Sequence, residues 1–147
     1  MDRLLDAPRG LVFAVWTRPE HAARWWGPLN FTTISLVMDV RPGGAWRKVM
    51  RGTDGDVSIK FGVYREVVPP ERLVFTYRDE AQDGSVTPET LVTVTFTEEG
   101  DRTRLRLHQE GFEQSAPRDG HMRGWASTLV RLAHYLARRG RAEGQGG

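Results

Sequence analysis

The sequence contains no cysteine. That excludes disulfides, thiolate nucleophiles and cysteine-based zinc sites. It contains no GxSxG, no P-loop and no GxGxxG, so the usual signatures of a hydrolase elbow and of nucleotide cradles are missing. Gly43-Gly44 reads as a turn. Its four histidines, His21, His108, His121 and His134, form no HxH or HxxxH pair, and neither a metal nor another cofactor is expected. No stretch approaches the roughly 20 apolar residues of a membrane span. The opening residues, Met1 to Asp6, lack the apolar run of a signal peptide, which makes a cytoplasmic location the expectation. The basic excess is small, a net charge of +2 with pI near 9.4. It is scattered over Arg102, Arg104 and Arg106 and over Arg131, Arg138 and Arg139, without the dense stripe of a nucleic-acid binder.

What is present is ordinary globular composition: 147 residues, 39% hydrophobic and 27% charged. This fits one domain over residues 1–140, followed by a disordered tail at 141–147. The clearest element is a helix from Arg118 to Arg139. Met122, Trp125, Ala126, Leu129, Leu132, Ala133 and Leu136 recur at three- and four-residue steps, and Gly140 suits the position after a helix.

Before it, the chain alternates. Arg3 to Ala7 predicts a first strand. Pro8 opens a short helix with Leu11, Val12, Val15 and Trp16 on one face. Thr17 to Glu20 predicts a capping box starting a second short helix, which Gly27-Pro28 stops. Six strands follow. They run over 32–40, with Ile34, Leu36, Met38 and Val40 on one face, and over 45–51, with Trp46, Lys48 and Met50 together. The next two cover 57–68, apolar on both faces and ambiguous in orientation, and 72–78. The last two cover 89–97 and 102–110, with Leu105, Leu107 and Gln109 facing in and His108 facing out. Short loops make this an antiparallel meander. The expected fold class is α+β: a curved antiparallel sheet of six to seven strands wrapped around the C-terminal helix, with two short helices after strand 1.

Several stretches resemble the START-like, helix-grip (Bet v 1-like, SRPBCC) superfamily, in the branch called Activator of Hsp90 ATPase homologue 1-like. They are Ala7-Pro8 with Val12-Phe13 and Trp16, Pro19-Glu20 with Trp25-Trp26-Gly27-Pro28, Arg41 to Trp46, and Gly62 to Glu66. The set continues with Pro69 to Thr76, Thr93 to Phe96, Thr103 to Leu105, and Gly124-Trp125. The resemblance implies the helix-grip fold and a cavity between sheet and helix. The superfamily includes lipid and hydrophobic-ligand carriers, polyketide cyclases and antibiotic-resistance proteins, and the branch name records a eukaryotic co-chaperone domain. Members often carry an inward histidine near the end of the last strand. Here that position is Gln109, so a histidine-based pocket chemistry does not carry over.

The candidate ligand-binding residues are Trp25, Trp26, Trp46, Lys48, Phe75, Tyr77, Gln109, His121, Met122 and Trp125. The aromatic members come from the second helix, the inner strands and the long helix, and could line one pocket or simply fill the core. Lys48 could meet an anionic head group. A snorkelling side chain at the sheet edge, or a bulge, is the reading its charge favours. Gln109 on an apolar face needs partners, because an unpaired buried amide costs about 1–3 kcal/mol; it could orient a ligand or bond neighbouring backbone. His121 stands four residues before Trp125, on one helix face, and could act as a general base. No catalytic residue is assigned.

Three functions follow. The first is a carrier of a small hydrophobic or amphipathic ligand, with a cavity. The second is a cyclase- or hydrolase-like enzyme acting on a bound aromatic or polyketide, which requires an ionisable group inside the cavity. The third is a co-chaperone interaction module for an Hsp90-type ATPase, which requires an exposed apolar patch instead. A homodimer is compatible with all three.

Overall fold

A computed structural model describes residues 1–112 and 115–146. The chain runs β1 (Asp2–Leu5), α1 (Arg9–Thr17), α2 (Pro19–Trp25), β2 (Phe31–Met38), β3 (Ala45–Gly52), β4 (Val57–Val68), β5 (Arg72–Glu80), β6 (Thr90–Glu99), β7 (Arg102–Glu110) and α3 (Ser115–Gly146). The seven strands form an antiparallel sheet in the order β1-β7-β6-β5-β4-β3-β2. This is the α+β helix-grip arrangement: a curved sheet, two short helices after β1 and one long C-terminal helix.

Alternation sets the sheet's inner face. In β6 and β7, Val92, Val94, Phe96, Leu105 and Leu107 are buried while their neighbours are more exposed. α1 lies on this part of the sheet, with Phe13 edge-on to Phe96 at 5.5 Å between ring centroids. Leu129, Leu132 and Leu136 of α3 are buried in the same cluster.

Local chemistry departs from the sequence expectation in four places. The capping box does not form. Pro19 at the first position of α2 holds the preceding residue extended, so Arg18 occupies the N-cap. Thr17 stays in the last turn of α1, where its hydroxyl donates to the Phe13 carbonyl at 2.9 Å. Second, Ile34 does not face the core. A register shift between Thr33 and Ser35 in β2 leaves it 51% exposed, while Leu36 and Met38 pack against the core; one inserted residue reverses the face of everything before it. Third, the first strand ends at Leu5, two residues early, because the Ala7 carbonyl accepts from the Thr103 hydroxyl at 2.8 Å. Fourth, α3 begins at Ser115 and stays helical past Gly140. A glycine costs a helix about 1 kcal/mol relative to alanine without forbidding it. The tail expected at 141–147 thus meets helical backbone through Gly146, and Gly147 lies outside the described residues.

Candidate functional site

The first turns of α3 stand away from the sheet. Gly120, His121, Gly124, Trp125 and Thr128 share one helical face there, and two of the five have no side chain. An ideal Cβ at Gly124 would meet nothing within 4 Å. The gap is a cavity of about 180 Å³, closed on the other side by Trp26, Pro28, Phe31, Lys48, Met50, Ser58, Lys60 and Tyr77. A second cavity of about 260 Å³ lies alongside, between Asp79, Thr87, Pro88, Thr90, Gly111, Phe112 and Pro117. Tyr77 and His121 line both.

A polar row crosses the floor. Lys48 of β3 pairs with Lys60 of β4, and Lys60 pairs with Asp79 of β5. Lys60 and Asp79 form an ion pair. The other Asp79 oxygen bonds His121 Nε2 at 2.9 Å. Burial pushes the Asp79 carboxyl up, but the His121 hydrogen bond and the Lys60 charge outweigh it and hold it below the usual carboxylate range. Lys48 is left over. It is 1% exposed, and its Nζ lies 4.1 Å from the centroid of the Trp26 ring. Among the described residues it makes no hydrogen bond or ion pair. Desolvation, then the Lys60 charge, push its ammonium well below 10.5; Asp79 opposes this and Arg131 adds to it.

The aromatic walls are braced by hydrogen bonds. Trp125 Nε1 donates to Gln109 Oε1 at 2.9 Å, Gln109 Nε2 donates to the Thr90 hydroxyl at 2.8 Å, and that hydroxyl donates to the Tyr77 carbonyl at 2.8 Å. Trp46 Nε1 donates to the Thr76 carbonyl at 3.2 Å, across Gly62, where a Cβ would stand 1.9 Å from that same oxygen. The segment after α2 is clasped from α3. Arg131 Nη1 lies 3.0–3.2 Å from the carbonyls of Gly27, Pro28 and Phe31, and Nη2 donates to the Arg24 carbonyl. Gly27 has φ +143° there, and a Cβ would meet Met50 Sδ at 2.7 Å.

Residues 6–137 match the family model described as Activator of Hsp90 ATPase homolog 1-like protein. The chain belongs to that family. No curated protein matches the sequence. Solved structures agree in fold. The AHSA1 protein of Silicibacter pomeroyi is 25% identical, with a TM-score of 0.85 over 95% of this chain and 96% of its own. A protein of Chromobacterium violaceum is 28% identical, with a TM-score of 0.80 over 92% and 94%. One from Nitrosomonas europaea, at 22% identity and a TM-score of 0.81 over 96% and 94%, supports the fold alone.

In this member of the Activator of Hsp90 ATPase homolog 1-like family, five of the ten sequence candidates line the first cavity: Trp26, Lys48, Tyr77, His121 and Trp125. Trp25, Trp46, Phe75 and Gln109 are buried but do not line it, and Met122 packs on the core. Trp25 donates to the Val15 carbonyl at 3.0 Å, meets Trp16 edge-on and stacks on Trp26. Two expectations need correction. Lys48 does not snorkel: β3 is regular at this point and keeps its inward face. Gln109 is held by side chains and not by neighbouring backbone: Oε1 accepts from Trp125 and Nε2 donates to Thr90. Sequence reasoning missed Lys60, Asp79, the glycine pair and Arg131. Lys60 and Asp79 sit on strands whose pattern was ambiguous or read as ending at Arg78. The glycines carried a signal, being four apart on a helix that had no need of them. Among the described residues no group of three or more metal-ligating side chains comes together, and no helix is long and apolar enough to cross a membrane.

Proposed function

We propose that the protein binds a small amphipathic molecule between the first turns of α3 and strands β3 to β5. The apolar body lies among Trp26, Tyr77 and Trp125, and the polar end points to the Lys48 row. The observation that carries this reading is the cavity itself, walled by aromatic rings with one unpaired lysine in its floor. Its size sets the ligand class. An apolar cavity of about 150 Å³ is enough for a benzene ring, so about 180 Å³ takes one ring with a short substituent. A longer molecule reaches past His121 into the neighbouring space.

The test is native mass spectrometry of the protein purified from its own cell extract, combined with saturation-transfer NMR against benzyl alcohol. A co-purified small molecule or saturation transfer to benzyl alcohol is the expected result. Unliganded protein in every charge state together with no transfer overturns the reading.

A further inference from the structure

Of the 21 lysines and arginines in the chain, two are lysine, Lys48 and Lys60. These two stand directly opposite each other across β3 and β4, and both line the same cavity. Every other cationic side chain is arginine. Arginine is the better partner for carboxylates and the weaker-hydrated ion, and it cannot lose its proton in a protein. Lysine differs in the one respect that matters chemically: deprotonated, it is a primary amine with a nucleophilic lone pair.

The two lysines are not equivalent. Lys60 is held by Asp79, and the second oxygen of Asp79 is held by His121. Among the described residues no carboxylate remains for Lys48. It is buried, faces a like charge, and lies against an indole ring. An ammonium in that position is cut off from bulk water, with an indole ring and no anion beside it among the described residues. The groups that face it are Lys60 from β4, Asp79 and Tyr77 from β5, and His121 and Arg131 from α3; desolvation and Lys60 together favour the neutral form against the single opposing charge of Asp79.

We infer that Lys48 is an amine nucleophile, and that the cavity accepts small aldehydes or ketones which Lys48 captures as an imine. The inference rests on the proposed ligand-binding role of the same cavity. In the first step the Nζ lone pair forms a bond to the carbonyl carbon, the carbonyl π pair moves to oxygen, and a proton passes from nitrogen to oxygen to give a carbinolamine. In the second, the C–O bond breaks, the oxygen takes a further proton and leaves as water, and the remaining N–H proton is released as the C=N bond forms. One amine and one carbonyl thus give one imine and one water, with no change of oxidation state. His121 lines the opposite wall of the same cavity, hydrogen-bonded through Nε2 to Asp79, and is the group to which the proton transfer is assigned.

The test uses benzaldehyde and sodium cyanoborohydride at pH 7, read by intact mass and peptide mapping. The intact chain offers three amines, Met1, Lys48 and Lys60. The expected product is a single adduct on Lys48, heavier by one benzaldehyde less one oxygen. It should form faster than on Lys60 or than on Lys48 in protein unfolded by urea, because only the folded cavity strips Lys48 of solvent and gives it no anionic partner among the described residues. Benzyl alcohol should slow it. Lys48→Met and Lys48→Arg should remove it, with saturation transfer from benzyl alcohol retained in at least one of the two. If benzyl alcohol binds but modification falls on Met1 or Lys60, or on nothing, the imine inference is overturned and the binding role stands. If neither binding nor adduct is seen, both fall.

Discussion

The two halves of α3 meet the sheet in opposite ways. From Leu129 to Leu136 the helix buries leucines in a cluster with Val92, Val94, Phe96, Leu105 and Leu107, and that half is solid. From Gly120 to Thr128 it presents glycines, an imidazole and an indole to a charged floor, and that half is hollow. One helix, one sheet and one curvature give both. The difference lies in side-chain volume and in where the charges stand. The solid half is ordinary hydrophobic burial, worth about 25 cal/mol per Å² of apolar surface. The hollow half gives up packing and also buries a lysine with no anionic partner among the described residues, both of which work against stability. A fold does not keep such a region for its own sake, which is the physical ground for placing function there.

Four changes would break or sharpen this contrast. The largest effect belongs to the solid half. Phe96 is 2% exposed and meets Phe13 and Trp16 edge-on, so Phe96→Ala should cost about 3–5 kcal/mol in denaturant melts. An equal loss from emptying the hollow half would erase the distinction.

Next is Lys48→Met, which should stabilise the protein. Because the folded-state pKa lies well below 10.5, the unfolded chain binds the extra proton between those two values, and wild-type stability rises with pH across that window. The variant should therefore be more stable than the wild type at pH 7. The gain should shrink as pH rises toward 10.5, where the unfolded chain loses the same proton. Urea melts at several pH values would show it, and a destabilised variant would mean that Lys48 is held by a partner.

A smaller change fills the void. Gly124→Ala places a methyl group in open space and should add up to about 1 kcal/mol through helix propensity. Gly124→Leu should leave stability within that range but abolish saturation transfer to benzyl alcohol. Retained transfer would place the ligand elsewhere.

The smallest is an acid limb. Asp79 has its carboxyl depressed below 3.8 by His121 and Lys60 against the opposing effect of burial. Its contribution is present above that value and is lost as pH falls through the lower folded-state pKa. Asp79→Asn should remove that limb from the stability profile, and an unchanged profile would show that the carboxylate's bonds do not matter.

Much of the fold was legible because alternation is robust where one face is buried. The strands β3, β6 and β7 and the stripe of α3 were read from their periods. Alternation also put Trp46, Lys48 and Met50 on one face, which is where they are. It was the general rule against buried charge that pulled the expectation for Lys48 outward. Ile34 was misread because a bulge leaves no mark in a run of β-formers. Lys60 was hidden in β4, whose two faces are both apolar, so no period assigned it a side. Gln109 was read on the correct face, but its partners Trp125 and Thr90 arrive from other elements, and no local pattern encodes a contact between residues 16 or 19 positions apart. His121 and Trp125 were legible as a pair because four residues along a helix is a neighbour.

The wall shared by the two cavities has a consequence of its own. It is built from Tyr77 and His121, and His121 is pinned only by Asp79 among its hydrogen-bonding partners here. A guest that fits beside Trp26 leaves this partition standing. A longer guest would have to pass the imidazole, whose Asp79 partner is already held by Lys60 on its other oxygen. The partition therefore sorts by length: a one-ring guest would leave the His121–Asp79 bond intact, and a longer one would have to break it.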